Sequence, residues 1–312
     1  MLLKVEDLKK VFATGVFKRK LIDAVDGVSF ALARGETLGL VGESGCGKST
    51  LGRAVLGLIP PSGGRILFHE LEITRASRAD LKWLRRKMQI MFQHPEAALD
   101  PRMRIYDSLV EPLRIHRVVG SRAEEQRLAA ELIDLVGLHP EHLNRYPHEL
   151  SGGQIQRVVL ARILSLEPEF IVADEPTSML DASVQAQVLR LFKEVQRRFN
   201  IACLFISHDL EVVAWISDRV AAMYRGSIVE LGPVEKVCKD PKHPYTSLLV
   251  GAFFGAGHRG LGSGKVPDLA EEVGHTSGCK FYAACPSAGK ACRVAPGLRE
   301  VQKGHFVACW EV

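Results

Sequence analysis

The sequence predicts an α/β protein built on a parallel sheet, followed by a small cysteine-rich C-terminal module. Three observations predict it. A strand, a glycine loop and a helix follow one another between Thr37 and Leu58. The strand-like "EFIVADE" and "IACLFIS" flank the helical "ASVQAQVLRLFKEVQRRFN". Near Gly251 the periodic pattern dissolves into "GAFFGAGHRGLGSGK" ahead of a tail rich in cysteine.

The chain opens with "LLKVEDL" and "AVDGVSFALARGETLGLV", strand-like stretches with alternation and a turn at "ARGE". The run from Thr37 to Val41 ends at Gly42. Beyond the loop, Leu51, Ala54, Val55 and Leu58 recur at i, i+3, i+4 and i+7, one face of a helix that ends near Pro60. Residues 107–165 read mostly helical, as an insertion between strands. In it "SRAEEQRLAAELIDLVGL" is amphipathic, and "QIQRVVLARILS" puts Ile155, Val158, Val159 and Ile163 on one face. "RVAAMYRGSIVELG" predicts a hairpin about Arg225 and Gly226.

With 46% hydrophobic and 25% charged residues among 312, the composition is that of a globular protein and excludes wholesale disorder. The net charge of +5 comes without a long basic block, so a solvated surface is expected and no nucleic-acid partner. Apolar runs such as "IACLFI" fall far short of the roughly 18 residues that suggest a membrane span. Charges in "MLLKVEDLKK" stand where a signal peptide needs its apolar stretch, so a cytosolic chain with reduced cysteines is expected.

Gly42, Gly47, Lys48 and Ser49 fill the pattern G-x-x-x-x-G-K-[ST] within "GESGCGKST". Glycines let backbone N–H groups approach phosphate, Lys48 reaches the β and γ groups, and Ser49 ligates Mg²⁺. Ser44, Gly45, Cys46 and Thr50 complete the candidate ATP-binding stretch. "FIVADE" is an apolar strand that delivers two adjacent carboxylates, Asp174 for the metal side and Glu175 for polarising water.

A second glycine-rich helix start, "LSGGQ" at 150–154, is a further anion device: a serine, two glycines and the positive end of a helix dipole. With it the chain resembles the ATP-binding cassette (ABC) family over residues 1 to about 250. The motifs stand in family order: the phosphate loop, "FQHP" with Gln93, "LSGGQIQR", "ADEP", "SMLD" ending at Asp181, and "SHD" with His208. Met179 stands in "SMLD" where alanine is usual, but Asp181 is kept.

The resemblance implies a P-loop NTPase (RecA-like) core with an antiparallel β subdomain and a helical insertion at about 95–165. It also implies a head-to-tail pair of cassettes. Ser151, Gly152, Gly153 and Gln154 of one would then complete the ATP site of the other. Glu175 would orient the attacking water, His208 would contact the γ-phosphate, and Asp174 would hold Mg²⁺ through water. Gln93 would sense the metal and couple to a membrane subunit, and Asp181 belongs to the ATP site. Adenine would stack on an aromatic residue, Phe12 in preference to Phe17.

"DPKHPYTSLLVGAF" and the tail, set apart as residues 251–312, resemble the ATPases of oligopeptide, dipeptide and nickel importers. That implies a peripheral ATPase on the cytoplasmic face of the membrane, paired with a paralogous ATPase. Two membrane permease subunits and an extracytoplasmic binding protein would complete the assembly. Peptide cargo leads, with nickel or another metal chelate second, and a soluble cassette ATPase as the reading outside transport.

Of seven cysteines, Cys46, Cys203 and Cys238 are scattered and read as loop or core residues. Cys279, Cys285, Cys292 and Cys309 lie in the tail, where so small a module suggests a metal staple. The C-x₂₋₄-C pairs common in zinc sites are absent, and some relatives carry an iron–sulfur cluster at cysteines spaced like these. A [4Fe–4S] cluster is therefore expected ahead of metal-free thiols or Zn²⁺. His275 and His305 are expected outside the ligand set or at the surface.

Overall fold

The structure, a computed structural model, describes residues 1–14, 20–254 and 278–312. Phe17, His275 and most of the glycine-rich linker lie outside the described residues. The chain divides into two compact units, residues 1–33, 37–75 and 205–312 in the first and 34–36 with 76–204 in the second.

The first unit begins with two long strands, β1 (Leu3–Thr14) and β2 (Lys20–Leu32), then β3 (Thr37–Val41), helix α1 (Lys48–Val55), β4 (Gly63–Phe68) and β5 (Leu71–Glu72). β1, β2, β4 and β5 form an antiparallel sheet in the order β2-β1-β4-β5. Alternation decides its faces: Leu3, Val5, Val28, Leu32, Ile66 and Phe68 are buried while Lys4 and Arg65 stay out. Leu51, Ala54 and Val55 of α1 are fully buried, as their spacing predicts. Leu58 lies past the last helical turn and is 51% exposed, so the face ends earlier than the periodicity suggests.

The second unit carries α2 (Arg78–Lys87), β6 (Met88–Met91), α3 (Ile105–Ile115), α4 (Arg122–Leu135), α5 (Gly152–Leu164), β7 (Phe170–Asp174), α6 (Ala182–Arg198) and most of β8 (Ala202–Ile206). β6 and β7 pair in parallel, with the helical α3–α5 segment inserted between them in sequence. Ser77 and Asp80 form a reciprocal capping box that starts α2. α5 is buried beyond the single expected face, with Val158, Leu160, Ala161, Ile163 and Leu164 all covered.

The chain then returns to the first unit through α7 (Leu210–Ile216), β9 (Arg219–Tyr224), β10 (Ser227–Pro233), α8 (Val234–Lys239), α9 (Pro244–Phe254), β11 (Arg299–Gln302) and β12 (His305–Val307). β9 pairs in parallel with β3 and antiparallel with β10. Arg225 (φ 42°) and Gly226 (φ 84°) make the tight turn that the hairpin reading places there. The tail is tied into this sheet, because β12 pairs with β10 and β11 pairs with β12.

Candidate functional site

In the first unit the apolar β3, buried at every position, delivers the chain to Gly42. Lys48 begins α1 and is only 5% exposed, with its Nζ donating to the carbonyls of Gly42 (2.7 Å) and Glu43 (2.8 Å). Gly47 caps α1 with φ 109°, and a Cβ there would stand 2.0 Å from the Ala24 carbonyl oxygen, so no other residue fits. α1 has no side-chain cap and no acidic residue in its first turn. The positive end of its dipole therefore favours an anion there.

Ser44 and Gly45 are exposed at the loop's crest, while Ser49 and Thr50 are half-buried in the first helical turn. Cys46 is buried beneath the loop, where burial pushes its thiol pKa up, and its carbonyl accepts from Gly226 N–H at 2.8 Å. Gly226 in turn accepts from Asp26 N–H at 2.8 Å, so the β9–β10 turn is seated under the phosphate loop.

His208 follows β8 and is exposed. It stands between Ser207, whose Oγ accepts from Asp209 N–H at 3.0 Å, and Asp209, whose carboxylate caps α7 through Glu211 N–H and Val212 N–H. Phe12 is 38% exposed on β1, opposite Ile22, with Lys10 Nζ 4.9 Å from its ring centroid. An exposed strand aromatic is available for stacking.

In the second unit β7, again buried throughout, ends at Asp174, itself 5% exposed. Glu175 follows in the left-handed region (φ 49°), a conformation that carries strain for a side chain of this kind, and Gln93 Nε2 donates to its Oε2 at 3.1 Å. Gln93 and Glu175 are thus brought together.

The "LSGGQ" start is a capping box. Ser151 Oγ accepts from Gln154 N–H (3.4 Å), and Gln154 Oε1 accepts from Ser151 N–H (3.0 Å). The box leaves the Gly152 and Gly153 amides without an intrahelical partner. A Cβ on Gly153 would meet Val184 Cγ1 at 2.4 Å, so glycine lets α5 lie close against α6. Asp181 caps α6 by accepting from Ser183 N–H (3.1 Å) and Val184 N–H (3.0 Å). The structure therefore places "LSGGQ" beside the "SMLD" segment.

Cys203 and Cys238 are buried core residues, and burial pushes the Cys238 thiol up to about 11. Cys279, Cys285, Cys292 and Cys309 are free thiols that line one small cavity with Phe281, Pro296 and Trp310. Desolvation raises the pKa of Cys279, Cys285 and Cys309. Among the described residues no group of three or more His, Cys, Asp or Glu side chains is placed to hold a metal ion. The expectation of a formed metal centre is not supported on that count. The four cysteines supply the donor type that a four-cysteine cluster or a Zn²⁺ ion takes. His305, expected outside the ligand set or at the surface, is fully buried with Nε2 2.7 Å from Glu230 Oε1.

Two contacts escaped the sequence reading. Glu43 N–H donates to the Tyr245 hydroxyl at 3.1 Å, and Glu230 Oε2 accepts from His243 N–H at 2.8 Å. Both belong to "HPYT", whose only visible signal was its resemblance to one branch of a family.

A glycine phosphate loop opening an uncapped helix, with a carboxylate-ended buried strand elsewhere in the chain, defines a P-loop nucleotide hydrolase. Family models match in two places: "ABC transporter" over residues 25–178 and "Oligopeptide/dipeptide transporter, C-terminal region" over 229–292. The oligopeptide transport ATP-binding protein AppF of Bacillus subtilis is 45% identical over 321 residues, covering 99% of this chain and 96% of AppF. OppF of the same organism is 49% identical over 311 residues, with 99% and 96% covered. Among solved structures, a dimeric ATP-binding cassette in a post-hydrolysis state with ADP and phosphate superposes with a TM-score of 0.67 at 26% identity, covering 75% of this chain and 99% of that one. The cassette cbiO1 of Clostridium perfringens also gives 0.67, at 28% identity, over 77% and 91%. The chain belongs to the ATP-binding proteins of ABC transporters, in the branch that carries the oligopeptide/dipeptide C-terminal region, and it is an ABC-type ATPase. No helix among the described residues is long and apolar enough to cross a membrane.

Proposed function

We propose that this chain is the ATP-hydrolysing subunit of an importer for oligopeptides or dipeptides, working through separate membrane subunits. One observation carries the reading: an ordered set of cassette motifs and the oligopeptide/dipeptide C-terminal region occur in one chain. The names of its relatives favour peptide cargo over nickel or metal chelates, and over a soluble cassette.

In this reading the amides of Gly45 to Thr50 cradle the phosphates. Lys48 exchanges its bonds to the Gly42 and Glu43 carbonyls for β- and γ-phosphate oxygens. Ser49, Gln93 and Asp174 would hold Mg²⁺, which would supply charge neutralisation at the phosphates. Glu175 orients and deprotonates the attacking water, held in place by Gln93, and His208 contacts the γ-phosphate. Phe12 stacks on adenine. Asp181, which caps α6, belongs to the ATP site, and Ser151, Gly152, Gly153 and Gln154 face the nucleotide of a second, paralogous cassette. Two permease subunits and an extracytoplasmic binding protein complete the assembly, with this chain at the cytoplasmic face. Residues 251–312 form the linker and C-terminal module, where the four thiols hold a [4Fe–4S] cluster in preference to Zn²⁺.

Uptake of labelled oligopeptides and of radioactive nickel into cells carrying wild type or Lys48→Ala tests the reading. Loss of peptide uptake alone supports it. Loss of nickel uptake with peptide uptake intact sinks it.

A further inference from the structure

Tyr245, near the start of α9, is fully buried although it carries a hydroxyl. A buried phenol needs a partner, and this one accepts the backbone N–H of Glu43, the second residue of "GESGCGKST", at 3.1 Å. The Glu43 carbonyl accepts from Lys48 Nζ. Both backbone groups at the entrance of the phosphate loop are therefore held, one from inside the loop and one by Tyr245.

The ring of Tyr245 packs on Tyr224 of β9 (centroids 4.7 Å apart) and on Phe281 of the tail (5.7 Å). Its backbone is held as firmly. Tyr245 N–H donates to His243 Nδ1 at 3.1 Å, and His243 N–H donates to Glu230 Oε2 at 2.8 Å. Glu230 Oε1 accepts from Lys242 N–H (2.9 Å) and from His305 of β12 (2.7 Å). Glu230 and His305 are both completely buried. Burial lowers the His243 pKa to about 4, so at neutral pH the ring is uncharged and Nδ1 remains an acceptor.

We propose that Tyr245 is a positioning residue for ATP: its hydroxyl presets the entrance of the phosphate loop, and its ring and backbone tie that entrance to Phe281 and His305 of the C-terminal tail. The proposal rests on the reading of residues 42–50 as the nucleotide site. A tyrosine present only to fill space would not need its hydroxyl, and a loop set before binding has less order to acquire when ATP arrives. Loosening the tail at Phe281 then weakens nucleotide binding without touching any residue that meets the nucleotide.

The test titrates full-length wild type, Tyr245→Phe and Phe281→Leu with a fluorescent ATP analogue, with steady-state hydrolysis and amide exchange over residues 42–50. Loss of one such hydrogen bond predicts roughly fivefold weaker binding for Tyr245→Phe, with KM raised alike, kcat kept and faster exchange at Glu43. Phe281→Leu, which retains the hydroxyl, shifts affinity in the same direction. Equal affinity and equal exchange in Tyr245→Phe and wild type overturn the proposal. Were Tyr245→Phe not to fold, rapid exchange of the Glu43 amide in wild type, or unchanged affinity in Phe281→Leu, would overturn it instead. A wild type that binds no nucleotide would defeat the underlying reading, an outcome distinct from these.

Discussion

Gln93 and Glu175, 82 residues apart in sequence, are joined by a 3.1 Å hydrogen bond from Nε2 to Oε2. The bond fixes one carboxylate oxygen. Glu175→Gln removes the base, so turnover falls by a factor of about 10²–10⁴. Phosphate release reads the loss. Light scattering with ATP is expected to show that nucleotide-driven association of cassettes persists. Unchanged turnover would remove Glu175 from the mechanism.

Gly47→Ala places a methyl group where the Ala24 carbonyl already stands and keeps a φ of 109° that alanine resists. The expected cost is about 1–3 kcal/mol of stability, together with loss of nucleotide binding. Urea denaturation and nucleotide titration measure the two effects separately.

Ser151→Ala deletes the cap of α5 and costs about 1 kcal/mol. Ser151→Arg, combined with Glu175→Gln, is expected to stop ATP-driven association while phosphate-loop binding of nucleotide continues. Association at wild-type level would exclude "LSGGQ" from the second cassette's site.

Glu125 is buried in the second unit, where Arg114 Nε donates to it at 2.6 Å and Tyr106 at 2.7 Å. Its pKa is lowered, chiefly by the Arg114 hydrogen bonds. The unfolded chain therefore binds the proton first, and the stabilisation is full above the unfolded carboxyl pKa and lost as pH falls through the folded one. Glu125→Gln should lower stability at neutral pH and flatten the acid limb of a melting-temperature profile. An unaltered acid limb would show that the pair contributes nothing.

Metal analysis on protein prepared without oxygen is expected to find iron and inorganic sulfide, both lost in Cys285→Ser and Cys292→Ser. Zinc, or no metal in wild type, would remove the cluster and leave four thiols around an apolar cavity.

The nucleotide motifs were legible because their chemistry is local. Glycines at fixed offsets, a lysine and adjacent acids after an apolar run state their business within a few residues. The hairpin at Arg225 and Gly226 was legible for the same reason. β11 and β12 were not, because "REVQ" and "HFV" are too short and polar to show alternation and owe their order to β10. Tyr245 was hidden for another reason: its partner is a backbone amide, and no side-chain pattern in "GESGCGKST" announces one. The burial of His305 was hidden because the glutamate that accepts it lies far away in sequence.

The seat that Gly226 provides beneath Cys46 bears on the order of events during synthesis. One glycine closes a path from Cys46 to Asp26, and its own turn is made long after both. A nascent chain halted before the β9–β10 hairpin has the whole phosphate-loop motif but no floor under it. The seat of the phosphate loop is thus completed late in the growing polypeptide, long after the motif itself has been made.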